Sequence, residues 1–247
     1  MLKKIALRFC DRIRRDLRDE LQSFKAELHK ELDLREQLVC QNIELARHHI
    51  SLNSTAEYVN KNLAKATSFP SKFELLTSAL SKARKDDGLH CEFGVFNGGT
   101  INHIAGIVKT PVYGFDSFEG LPEGWNSLDK GHFAVAQLPQ VPPHVTLIKG
   151  WFNDTLPKFV AEHPGNATFL HIDCDLYSST KFVFETLARQ IVPGTVIAFD
   201  EYFNYPNWEQ GEYLAFQEFI KSSGLGYEYI GYNRFNEQVA VIIRDRG

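Results

Sequence analysis

The sequence of 247 residues contains no uncharged apolar run approaching the roughly 18 residues that a membrane-spanning helix needs, which argues against an integral span. Its cysteines are few and scattered: Cys10, Cys40, Cys91 and Cys174 form no Cys-x-x-Cys pair. That spacing excludes a disulfide scaffold and a structural zinc site, and it points to a reducing cytoplasm. Charge of one sign is also missing, with 27 Lys and Arg against 31 Asp and Glu and a formal net charge of −4. Such a balance gives no global attraction to nucleic acid or to an anionic membrane. After Lys3 and Lys4 the apolar run ends at Arg8, too short for a signal peptide. A cytoplasmic location is therefore expected, and the Asn-x-Ser/Thr matches at Asn53, Asn153 and Asn166 read as chance.

Glycine and proline are absent from the first 50 or so residues, which are dense in Arg, Lys, Glu, Asp and Leu. Ile13, Leu17, Leu21, Phe24, Leu28 and Leu32 recur every three or four residues, so a single apolar stripe along a long helix is expected over residues 1–54. Such a helix docks on the body, pairs with a second copy as a homo-oligomer, or lies on a membrane surface; acids soon interleave with the early arginines, which favours protein contacts. A second domain is expected over 55–247. It opens with a helical stretch at about Thr55 to Ala83, interrupted at "SFPSKFE", where Ser71 can cap the segment after Pro70.

From His90 onward, short apolar runs ("HCEFGVF", "PVYGFD", "VTLIKGWF", "ATFLHID", "TVIAFDEYF") alternate with helical segments. Runs that are apolar on both faces, separated by helices, predict an α/β fold with a mostly parallel sheet covered on both sides. The closing pair "GYEYIGYNRF" and "EQVAVIIRDR" reads as a hairpin, so the last strand should run antiparallel. The 43% hydrophobic content supplies the core. Ligands of such sheets bind at the carboxyl ends of the strands.

Those ends carry the chemistry. "CEFGVFNGGT" gives a glycine turn but not Gly-x-Gly-x-x-Gly, because Phe96 stands where the second glycine would be, and a pyrophosphate fits poorly. Asp116 lies 22 residues past Gly94, near the offset at which an acid grips ribose hydroxyls. Together they suggest a nucleoside cofactor without a diphosphate, such as S-adenosylmethionine. Asn153 or Asp154 can cap the helix after "KGWFNDTLP", with Pro157 in its first turn, and Trp151 and Phe152 either enter the core or flank an adenine ring. "FLHIDCDLYSST" and "IAFDEYF" place Asp173, Asp175, Asp200 and Glu201 at two strand ends. If the strands are neighbours, four carboxylates converge, with Lys181 as the one basic residue close in sequence. Their repulsion calls for a cation, and all-oxygen ligands select Mg²⁺ first.

These stretches, with "YGFDSFEGLPEGW", "GWFNDTLP" and "GEYLAF", resemble the macrocin and mycinamicin sugar O-methyltransferases over about residues 88–216. The resemblance implies a Rossmann-like class I methyltransferase sheet of seven strands. It implies Glu92, Gly94 and Thr100 in the cofactor turn, and Asp116 with Ser117 on the ribose. It further implies Asp173, Asp200 and Glu201 on Mg²⁺, Asp175 as general base, and a sugar hydroxyl of a natural product, glycolipid or polysaccharide as acceptor. Members that tailor antibiotics tend to carry Asp-Asp where this chain has Asp200-Glu201. Glu119 to Val145, long for a connection, is a candidate lid, and His132 within it a candidate second base or an exposed loop histidine. A nucleotide-sugar glycosyltransferase using Asp-Cys-Asp, a dehydrogenase and a non-catalytic binding module remain as alternatives, distinguished by the cofactor each binds.

Overall fold

The strands from Leu89–Phe93 (β2), Ala167–Ile172 (β5) and Val196–Phe199 (β6) are buried at every residue in the computed structural model, as runs apolar on both faces require. The structure describes residues 2–84 and 88–246, with side chains from residue 12 onward, so Arg8 and Cys10 lie outside the described side chains. The described chain divides into two units, Met1–His49 and Ile50–Gly247. In the first, Leu2–Gln41 forms one helix (α1). The helix expected to continue to residue 54 instead restarts at Ile43–Asn62 (α2), because the Asn42 side chain accepts the Leu45 N–H at 3.0 Å and caps a new helix.

The second unit is an eight-stranded sheet in the order β1-β7-β8-β6-β5-β2-β3-β4, where β1 is Thr67–Phe69, β3 Val112–Asp116, β4 Val145–Lys149, β7 Gly226–Asn233 and β8 Val239–Arg244. β8 runs antiparallel to both β6 and β7, as the closing hairpin predicts, and the other pairs are parallel. The sheet gains a strand over the expected seven. β1 breaks the helical stretch at 55–83 and pairs with β7, and its three residues Thr-Ser-Phe carry too little pattern to announce a strand. The following helix, Lys72–Lys82 (α3), is capped as expected: Ser71 Oγ accepts the Glu74 N–H at 3.3 Å. That cap fixes Lys72 at the first helical position.

Helices Gly99–Ile107 (α4), Phe152–Glu162 (α5), Tyr177–Leu187 (α6) and Glu212–Ser223 (α7) cover the sheet, and apolar clusters fill both faces. The expected side-chain cap from Asn153 or Asp154 is absent, since α5 begins two or three residues earlier with Trp151 at its cap. Pro157 then falls in the second turn. The second half of α2 is fastened to the body by polar contacts. Thr55 Oγ1 accepts the Asn204 N–H at 2.9 Å, Trp208 Nε1 donates to Ser54 at 2.9 Å, and the hydroxyls of Tyr58, Tyr229 and Tyr202 form a chain of 2.6 Å links. This anchors the loop that follows β6.

Candidate active site

β6, β5, β2 and β3 are parallel neighbours, so their carboxyl ends meet along one edge of the sheet. A cavity of about 750 Å³ opens there, within the usual range for small-molecule sites. Asp116, Ser117, Thr100, Gly94 and Phe152 line it on one side, and Asp173, Asp175, Asp200 and Glu201 on the other. The sequence-predicted residues are thus brought together, save one. Glu92 is fully buried and reaches the cavity only through Thr100, whose hydroxyl donates to Glu92 Oε1 at 2.9 Å.

The glycine-loop wall is built largely of backbone. Gly94 has φ +94°, and a Cβ there would run into the carbonyl oxygen of Asp173, so no other residue fits without moving the neighbouring loop. Asp116 Oδ2 accepts the N–H groups of Val95 and Phe96, both at 2.8 Å, and Oδ1 accepts that of Phe118 at 2.6 Å. Three of about four acceptor positions are therefore filled by protein, leaving one for a ligand hydroxyl. Ser117 shapes the next turn, donating to Gly120 O and accepting the Glu119 N–H. Phe96 (φ +46°), Phe118 (φ +59°) and Asp175 (φ +61°) hold left-handed backbone that side chains ordinarily avoid.

The opposite wall is crowded with charge. Glu92 pairs with His171 across β2 and β5, and His171 with Ala198 across β5 and β6, so Glu92, His171 and Asp200 rise on one face of the sheet. His171 lies 3.6 Å from Glu92 Oε2 and 3.8 Å from Asp200 Oδ1. Burial pulls its imidazole down, but the flanking Asp200 and Glu92 outweigh it and lift the pKa to about 10. Burial would likewise raise Asp200, yet His171 and Lys72 hold it at about 2. Burial first, then the charge of Asp200, pushes Asp173 and Glu201 well above the usual carboxylate range. Asp175 rises to about 7, from burial and then from Asp200 and Asp116.

Three partners of this cluster are not among the residues that the sequence singles out. Lys72 Nζ sits 3.3 Å from both oxygens of Asp200. The basic residue expected near the acids, Lys181, instead pairs with Glu218 at 2.9 Å on the surface. Glu212, the fully buried first residue of α7, accepts the Cys174 N–H at 3.1 Å and the Glu201 N–H at 3.4 Å, tying both acid-bearing loops together from below. His171 is the third. Its position two residues before Asp173 was a usable signal, since alternate strand residues share a face.

The acids fit a hard divalent cation. Oxygens of Asp173, Asp175 and Glu201 lie within 4.8 Å of one another, and Asp173 also groups with His171 and Asp200. The buried Oε2 of Glu201 has no hydrogen-bond partner, an expensive state that a cation would relieve. The expected segment 119–145 folds beside this edge. Its Leu121, Pro122 and Phe133 line the cavity, and Phe133 meets Phe96 edge-on at 5.4 Å. His132 is exposed and packs on Phe133.

Comparison with known proteins agrees with this geometry. Residues 91–202 match the family model described as a methyltransferase domain. A curated relative, the 8-demethyl-8-(2,3-dimethoxy-alpha-L-rhamnosyl)-tetracenomycin-C 4'-O-methyltransferase of Streptomyces olivaceus, is 28% identical over 137 residues, covering 45% of this chain and 51% of that protein. The chain thus spans about half the length of that relative. Among solved structures, a calicheamicin methyltransferase (TM-score 0.54, 23% identity, 69% of this chain and 76% of that one) shares the fold. So does the O-methyltransferase NovP (TM-score 0.54, 24% identity, 71% and 80%). The chain therefore has the class I methyltransferase fold, and over those 137 residues its sequence is similar to the tetracenomycin-C 4'-O-methyltransferase named above. Among the described residues, no helix is long and apolar enough to cross a membrane.

Proposed function

We propose that this chain transfers a methyl group from S-adenosylmethionine to a sugar hydroxyl, on a natural product, glycolipid or polysaccharide, with Mg²⁺ or a similar divalent cation at the acid cluster. The observation that carries the reading is the placement of two unlike walls around one cavity: a glycine loop braced by Asp116, and a carboxylate cluster with an unpartnered buried oxygen. The remaining acceptor position of Asp116 takes a ribose hydroxyl. Gly94 lets the chain approach the cofactor, Thr100 and Ser117 hold the turns beside it, and Phe152 with Trp151 borders the base. A bound cation supplies positive charge that lowers the pKa of a chelated hydroxyl. Asp173, Asp200 and Glu201 would hold that cation: Asp173 groups with Glu201 on one side and with Asp200 on the other, and Asp200 would join after release from Lys72.

Asp175 faces the same space and takes the hydroxyl proton as the oxygen attacks. The methyl–sulfur bond breaks as the methyl–oxygen bond forms, leaving S-adenosylhomocysteine and a methyl ether. The aromatic and apolar side chains of segment 119–145 exclude water over the reacting atoms and serve as the lid. The test is calorimetric titration of S-adenosylhomocysteine with Mg²⁺ or with EDTA, in the parent and in the Asp173→Ala, Asp200→Ala double variant. Binding of S-adenosylhomocysteine, with Mg²⁺ bound by the parent and lost in the variant, is the expected result. Binding of a nucleoside diphosphate-sugar or of NAD in its place would overturn the reading.

A further inference from the structure

The apolar stripe of α1 is open to solvent: Ile13, Leu17, Leu21, Phe24, Leu28, Leu32 and Val39 are 41–61% exposed. Seven such side chains leave on the order of 700 Å² bare, close to the roughly 800 Å² that each partner buries in a standard protein interface. The order of the stripe is regular. Steps of four, four, three, four and four residues lead from Ile13 to Leu32, and Arg35 and Val39 continue them after three and four. Ile13, Phe24 and Arg35 are therefore spaced by eleven, as are Leu17, Leu28 and Val39. An eleven-residue period gives about 3.67 residues per turn, so the stripe runs almost straight along α1 and matches a nearly straight or gently right-handed pair. Arg35, which interrupts it, is paired with Glu31 of its own helix at 3.5 Å.

The flanks decide what covers it. At about 100° per residue, Arg14, Arg18 and Lys25 line one side of the stripe, and Glu20, Glu27 and Glu31 line the other. In two parallel copies the basic flank of one helix meets the acidic flank of the other, whereas antiparallel copies set like charge on like charge. A membrane-surface helix wants basic residues around its polar face, and the acidic flank here would face anionic headgroups. We propose that α1 is a homodimerisation element that pairs in parallel with α1 of a second copy. It depends on α1 alone and stands or falls separately from the methyltransferase reading.

Sedimentation equilibrium of the full chain tests this. Expected is a dimer at micromolar concentration, reduced to monomer by Leu21→Glu, Leu28→Glu while S-adenosylhomocysteine binding by the body is retained. Glu20→Lys, Glu27→Lys, Glu31→Lys should weaken self-association at least tenfold, and mixing with Arg14→Glu, Arg18→Glu, Lys25→Glu should restore a mixed dimer. Leu17→Cys, with Cys10 and Cys40 replaced by serine, should cross-link to itself on oxidation. A monomeric parent overturns the proposal, as does a monomer that co-sediments with vesicles of phosphatidylserine and phosphatidylcholine. A dimer that persists in Leu21→Glu, Leu28→Glu, or a charge-swapped variant that associates as tightly as the parent, does the same.

Discussion

The two walls of the cavity are made from similar strand ends and are finished in opposite ways. On the glycine-loop side, Asp116 is a carboxylate whose oxygens already receive three backbone N–H groups. On the other side, Asp173, Asp175 and Glu201 face one another with their pKa values driven upward, and Glu201 retains a buried oxygen without a partner. Both arrangements place acids at low exposure, yet only the first is satisfied by the chain itself. A satisfied carboxylate is a rigid fixture that shapes a binding surface before any ligand arrives. A frustrated cluster stores unfavourable energy that an added positive charge releases. The first wall is suited to recognising a neutral hydroxyl, and the second to recruiting a cation.

Breaking the frustrated wall should have the largest effect. Asp173→Ala, Asp200→Ala is expected to lower methyl transfer by about 10²–10³-fold, the several kcal/mol a metal centre contributes at about 1.4 kcal/mol per tenfold. The same variant should lose the Mg²⁺-induced stabilisation, read as a rise in Tm, which in the parent is expected to follow mass action and to reach about 2.7 kcal/mol at a hundredfold excess over Kd. Gly94→Ala comes next. A left-handed position facing the Asp173 carbonyl should cost about 3 kcal/mol in denaturant-measured stability. Asp116→Ala tests the satisfied wall on its own. It leaves three N–H groups without their acceptor and should weaken S-adenosylhomocysteine by about 2 kcal/mol, the order of a lost charge-assisted hydrogen bond, with Mg²⁺ affinity unchanged. Equal losses of both ligands would erase the distinction between the walls.

Smaller changes sharpen the comparison. Lys72→Met removes the lysine that already sits on Asp200, so calorimetry should show Mg²⁺ binding tighter by a few-fold, of the order of 1 kcal/mol for a half-buried ion pair. Weaker Mg²⁺ binding would mean that Lys72 supports the cation rather than competing with it. Ser71→Ala deletes the cap that fixes Lys72 at the start of α3 and should lower stability by somewhat under 1 kcal/mol, because the cap bond is long at 3.3 Å.

Much of this was legible in the sequence for identifiable reasons. The central strands announced themselves because β5 and β6 are buried on both faces and therefore mostly apolar, Thr168 and His171 of β5 being the exceptions. The acids were legible because a charged residue just past such a run has few structural excuses. What escaped was whatever depended on distant segments meeting. Lys72 follows a capping serine and looks like an ordinary helix-start lysine; 128 residues separate it from Asp200. Glu212 reads as an ordinary acid at a helix start, and its complete burial follows from how α7 lies under two loops. β1 was hidden by its length, since three residues cannot display a period of two. The cap of α5 lies two or three residues before the expected ones, the ordinary uncertainty of helix ends read from sequence.

The missing side chain at Gly94 has a thermodynamic corollary. Because the loop after β2 rests directly on the main chain of Asp173, the surface proposed for the cofactor and the one proposed for the cation share a backbone contact. A ligand that stiffens one loop alters the work of stiffening the other, and linkage makes that influence mutual. If both bind as proposed, whatever factor Mg²⁺ imposes on the Kd of S-adenosylhomocysteine, S-adenosylhomocysteine must impose on the Kd of Mg²⁺, through a contact that only a glycine permits.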